Sequence, residues 1–188
     1  MPPIPKYTKE EITSVAFELV RKQGYDLLTA RDLAQKLNTS TRPIFTAFEN
    51  MDELKKEIIY KSAALFDEYK TNEIKNGKYP EYKARGMAYI RFAKEEKNLF
   101  KLLFMRDRTT ETDINEPSIS DEVNIIIKTL SLSADAATSF HIKMWVVMHG
   151  FATMLATGYC DLDFETISKL TSEIYNAVKD GATNWKTL

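Results

Sequence analysis

Between Thr39 and Thr46 the chain gathers four hydroxyls and one guanidinium: Thr39, Ser40, Thr41, Arg42 and Thr46. The chemistry they suit is recognition rather than bond-making. A guanidinium can grip guanine with two hydrogen bonds or hold a phosphate. Hydroxyls can bond phosphates or base edges, and a Thr methyl can touch a thymine methyl. Thr29 adds a hydroxyl and free backbone amides at an expected helix start, where a phosphate is favoured. Lys6 and Tyr7 could act as an N-terminal arm, and Lys55 could reach a nucleic-acid backbone. No comparable pattern for catalysis occurs elsewhere.

The elements around these residues follow from caps and periodicity. Leu27 to Leu54 reads as a short helix, a three-residue turn, a second short helix and the capped start of a longer one. That is the layout of a helix-turn-helix, whose second helix can enter the major groove. Ahead of it, Ile12, Val15, Ala16, Leu19 and Val20 make one buried stripe of a helix over Thr8–Gln23, ended by a left-handed Gly24. Thr29 is the expected cap of the next helix, with Asp32 three residues on. Leu33, Ala34 and Leu37 form its inner face, and Asn38 ends it in the left-handed conformation. Ser40 is expected to cap the third helix, with Pro43 in its first turn and Ile44, Phe45 and Phe48 as apolar anchors. Asn50 with Glu53 caps a long fourth helix.

Beyond a break at Gly77–Pro80, helices are expected over Pro80–Glu96 and Asn98–Met105, then a polar loop over Arg106–Pro117. Further helices follow at Ser120–Leu130, at Ser133–Thr157 behind a Ser133 cap, and at Asp163–Thr183 behind an Asp163 cap. Strand signals are sparse, so the fold class is all-α: an N-terminal three-helix DNA-binding domain over residues 1–52 and a C-terminal helical bundle over 53–188. At 188 residues the chain can remove about 70% of its unfolded surface from water.

Composition narrows the function classes. One cysteine, Cys160, excludes an internal disulfide framework and thiolate-rich metal sites and fits a reducing cytoplasm. His141 and His149 stand eight apart with no carboxylate at ligand spacing, so neither a metal nor another cofactor is expected. The segment Met144–Tyr159 is shorter than the ~20 residues of a bilayer span, so no membrane partner is expected. The net charge is −1; nine Lys/Arg meet eight Asp/Glu through Lys56, and 17 meet 19 thereafter. Any DNA affinity must come from a local surface rather than a global field.

The first 56 or so residues resemble the TetR/AcrR family of transcriptional regulators. The resemblance rests on Gly24-Tyr25 at a helix end, Thr29 as a cap, the pair Leu33-Ala34, the run Phe45-Thr46-Ala47-Phe48, and Asp52-Glu53-Leu54. Asn38 stands where the family usually has Gly, Phe45 where it has Tyr, and Met51 where it has Lys. The last two changes remove a phosphate-binding hydroxyl and a phosphate-binding ammonium. Met144–Gly150 resembles the Trp-x-x-x-His-Gly run of some C-terminal domains of such regulators. The resemblance implies a DNA operator as partner, through Thr29, Thr39, Ser40, Thr41, Arg42, Phe45, Thr46 and Lys55. It also implies a C-terminal domain that binds an unknown small-molecule effector.

The C-terminal segment is rich in large adaptable side chains. Phe66, Tyr69, Tyr89, Phe92 and Phe100 are ligand-pocket candidates, as are Leu103, Phe104, Trp145, Met148 and His149. Each could equally fill a helical core, and His149 could either orient a ligand or be satisfied by a neighbour. A homodimer is expected through Phe151, Leu155, Ile167, Leu170, Ile174 and Val178 on the last two helices, with packing within the chain alone as the alternative. The penultimate helix is apolar nearly all round, and the last carries apolar residues at three- and four-residue steps.

The reading is a ligand-responsive, homodimeric transcriptional regulator, a repressor, that binds a palindromic operator and is not an enzyme. The alternative is a helical ligand-binding or interaction protein whose N-terminal domain does not bind DNA.

Overall fold

A computed structural model describes residues 7–107 and 120–183. Lys6 and residues 108–117 of the polar loop lie outside them. The described residues contain helices and no strand. They form two compact units. One takes the chain up to Asp67 together with Glu96–Arg106; the other takes Glu68–Glu95 and the chain from Asp107 onward.

The first unit is built on α1 (Lys9–Gln23), which begins in a full capping box. The Thr8 hydroxyl accepts from the Glu11 amide, and the Glu11 carboxylate accepts from the Thr8 amide. Ile12, Ala16 and Val20 are fully buried along one stripe, each large aliphatic side chain contributing about 1.5–3 kcal/mol. Phe17 is buried while Val15 is half-buried, so the stripe is wider than the expected one. Gly24 ends α1 at φ 89°, ψ 160°. This is not the left-handed helical region expected for it but an extended one with positive φ, open essentially to Gly. A short 3-10 turn, Tyr25–Leu27, follows and was not apparent from periodicity.

α2 (Ala30–Lys36) and α3 (Arg42–Ala47) are separated by five residues rather than three. Asn38, at φ 50°, closes α2: its amide donates to the Gln35 carbonyl, and the Thr39 amide donates to that of Ala34. That pair of bonds is a Schellman closure. The cap of α3 is Thr41, with no side-chain bond to the helix, so Ser40 does not fill the expected role. Leu33, Ile44, Phe48 and Leu54 are buried to within 2% of completely. α4 (Met51–Asn76) starts where Asn50 Oδ1 accepts from the Glu53 amide at 2.9 Å. It supplies residues to both units.

α6 (Lys97–Phe104) also belongs to the first unit. The Arg21 guanidinium of α1 donates to both Glu96 oxygens, from Nε at 2.7 Å and from Nη2. The Asn98 side chain donates to the Arg21 carbonyl at 3.0 Å.

In the second unit α5 (Glu81–Glu95) is buried on several sides, by Ala84, Met87, Ala88, Ile90, Phe92 and Ala93. α7 (Ser120–Leu130), α8 (Ala134–Thr157) and α9 (Phe164–Thr183) enclose a cluster of Val123, Ile126, Ala137, Phe140 and Met144. Ser133 caps α8, and Asp163 caps α9 by accepting from the Thr166 amide at 2.7 Å. Arg91 meets the buried Glu73 carboxylate at 3.1 Å and lies over the Phe164 ring, 4.5 Å from its centre; Lys94 lies over the same ring. No helix among the described residues is long and apolar enough to cross a membrane.

Candidate nucleic-acid interface and ligand-site residues

α3 is held from inside by Ile44 and Phe48 and leaves Arg42, Phe45 and Thr46 exposed. These stand at i, i+3 and i+4, so they share one face. Ser40 is exposed; Thr39 and Thr41 are half-buried. The Thr46 hydroxyl donates to the Arg42 carbonyl at 2.9 Å. Phe45 is not the inner anchor its spacing suggested: it is 50% exposed.

Thr29 is exposed at the start of α2, and its hydroxyl is engaged twice. It accepts from the Asp32 amide at 3.1 Å and donates to the Asp32 carboxylate. A phosphate arriving there would meet that carboxylate. Lys55 lies over the Tyr25 ring, 4.5 Å from its centre. Lys9 is held by Glu53 at 2.7 Å and by Glu57 at 3.3 Å. That pairing raises the Lys9 pKa and lowers that of Glu53. Tyr7 donates its hydroxyl to the Leu37 carbonyl, at the end of α2. Sequence reasoning passed over Arg31 and Lys36, exposed cations on α2. The signal was present, because both lie outside the inner stripe of Leu33, Ala34 and Leu37.

The pocket candidates divide between the two units. In the first, Phe66 meets Phe104 edge-on at 5.3 Å, and Phe104 meets Phe100 at 5.1 Å. Phe100 and Leu103 are buried. In the second, Tyr69 meets the buried Phe92 ring edge-on and donates to Glu95 at 2.9 Å. Met148 is buried, and its Cε would lie 3.2 Å from a Cβ built on Gly86. Two open surface grooves in the first unit, of about 510 and 520 Å³, include none of these ten residues.

Both histidines pair with tyrosines of α5. His149 Nδ1 is 2.8 Å from the Tyr89 hydroxyl, and His141 Nδ1 is 3.0 Å from that of Tyr82. Burial lowers the pKa of both imidazoles and raises that of both phenols, so each pair is held neutral. Trp145, half exposed, stacks on His149 at 5.5 Å. Among the described residues no group of three or more His, Cys, Asp or Glu could hold a metal.

Of the residues expected at a dimer interface, Leu155 and Ile167 are buried within the chain. Ile174 and Val178 are partly buried and pack on the α7–α8 cluster. Phe151 and Leu170 are half-buried. The most exposed apolar face of α8 is a different one: Ile142, Trp145 and Val146, each 48–59% exposed.

The model for bacterial regulatory proteins of the tetR family matches residues 12–58, which span α1 to the start of α4. The model for a tetracyclin repressor-like C-terminal domain matches residues 82–174. A comparison with curated proteins finds no match. Both the helix-turn-helix and the helical segment that follows are thereby accounted for, and the chain belongs to the TetR family of transcriptional regulators.

Proposed function

We propose that the protein is a homodimeric, effector-responsive repressor. Two copies of α3 would read half-sites of a roughly palindromic operator, about one helical turn apart. The observation that carries the reading is the exposed face of Arg42, Phe45 and Thr46, on a helix whose other side is fixed by buried Ile44 and Phe48. The exposed α8 face of Ile142, Trp145 and Val146 supports pairing, since a second copy would cover it. Within the second unit, Tyr89 and His149 are the proposed effector contacts. An effector must bind one conformation better than the other, or operator affinity cannot change.

Selection of duplexes from a random pool by the full chain tests the DNA reading, with a gel shift of the enriched duplex as readout. Failure to enrich any sequence refutes it. Sedimentation of Trp145→Glu tests the pairing, with a shift towards monomer expected. Mass spectrometry of co-purifying small molecules tests the effector reading. A compound so identified should change operator affinity when added at saturation.

A second reading is a helical ligand-binding protein without DNA affinity. The engagement of Lys9 and Lys55 within the first unit favours it. The same selection separates the two.

A further inference from the structure

The outer face of α3 has less hydrogen-bonding capacity than its sequence suggests. The Thr46 hydroxyl gives its only proton to the carbonyl of Arg42, 2.9 Å away, so it cannot donate to a base; its acceptor oxygen and the methyl are what the exposed side chain still offers. Phe45 beside it is 50% exposed and carries only hydrocarbon. The face therefore offers one guanidinium, one acceptor oxygen and two apolar groups, within about one helical turn. On the major-groove edges of base pairs the one apolar group is the methyl at C5 of a pyrimidine.

We propose that α3 reads a C5-methylated pyrimidine through Phe45 and the Thr46 methyl, with Arg42 making the polar contact beside it. This rests on the reading above that α3 enters the major groove. It assigns Phe45 as a specificity-determining residue. The missing tyrosine hydroxyl then becomes a change in what is recognised, from a phosphate oxygen to a methyl group. Two bases carry that group, thymine and 5-methylcytosine.

The test starts from a 30-base-pair random pool (roughly three helical turns) enriched by the full-length protein. The best duplex is resynthesised with deoxyuridine replacing thymidine at one position at a time, which deletes only the methyl. At one position or more per half-site, affinity should fall about four-fold, the factor that burying one methyl supplies. Phe45→Ala should bind the thymine duplex more weakly and be indifferent to uracil. Thr46→Ser, which keeps the hydroxyl and deletes only the methyl, should also bind the thymine duplex more weakly. Helical circular dichroism verifies that both variants fold.

At the sensitive position, cytosine and 5-methylcytosine are then compared. A gain on methylation extends the readout to methylated cytosine; no gain confines it to thymine. Indifference of the native protein to uracil at every position overturns the proposal. So does unchanged binding by both Phe45→Ala and Thr46→Ser, because neither apolar group would then be reading a base. Enrichment without uracil sensitivity sinks the methyl readout alone, whereas no enrichment at all sinks the DNA reading itself.

Discussion

The Arg21–Glu96 pair gives the sharpest stability prediction. The Glu96 side chain is 5% exposed and accepts two hydrogen bonds from a guanidinium that is 40% exposed. Arg21→Met takes from the buried carboxylate both hydrogen bonds of that guanidinium. Breaking a fully buried pair in this way costs about 3–5 kcal/mol. The open side of Arg21 admits water, so the expected cost here is about 2 kcal/mol, within the range for hydrogen bonds to charged groups. For a chain of this length that is a fall in Tm of about 4–8 °C.

Thermal melts by circular dichroism of Arg21→Met, Glu96→Met and the double variant form a cycle. Most of the cost lies in keeping a buried carboxylate that has lost these two bonds, rather than in the attraction lost. The double variant should therefore melt above Arg21→Met. Arg21→Met melting within 1 °C of the native protein, or a double variant below it, would refute the reasoning. The Asn98 bond to the Arg21 carbonyl engages only backbone at position 21, so the substitution leaves that second tie between α1 and α6 in place.

Three further outcomes are expected. Asn38→Gly should raise Tm slightly and Asn38→Ala lower it by about 1 kcal/mol equivalent, because position 38 sits at φ 50°; equal melts for the two would contradict this. Gly86→Ala should leave Tm nearly unchanged, since the new Cβ meets the movable end of Met148 at 3.2 Å while helix propensity gains about 0.5–1 kcal/mol; Gly86→Val should lower it clearly. Stability should decline as pH falls below about 6.5, because both histidines are held neutral in the fold by burial and the unfolded chain takes up protons first. Glu122 opposes that shift at His141, and a His141→Gln/His149→Gln variant should flatten the decline between pH 6.5 and 5; an undiminished slope would place the effect elsewhere.

Much of this architecture was legible because caps and periodicity are local. Thr8, Thr29, Ser133 and Asp163 each bond a backbone amide within three residues, so short windows revealed them. Asn38 was legible for the same reason. The α3 cap was misplaced because Ser40 and Thr41 are chemically near-equivalent, and packing of Ile44 and Phe48 sets where the helix starts. Ile44, Phe45 and Phe48 are alike in apolar character, and only the rotation of a six-residue helix decides which ring turns outward. The bond from Arg21 to Glu96 spans 75 residues, and no periodicity encodes it. The spacing in α6 shows an apolar stripe but not that this stripe shares a compact unit with α1. Lys55 over Tyr25 was missed for a like reason: a lysine reads as a free cation until the ring beneath it is seen.

The bond from the Tyr7 hydroxyl to the Leu37 carbonyl has a practical consequence. It anchors the chain within one side chain's length of the bend that leads into α3. Anything fused ahead of Tyr7 must set out from that spot, alongside the helix proposed to meet the duplex. An affinity tag at that end would therefore compete with DNA for space.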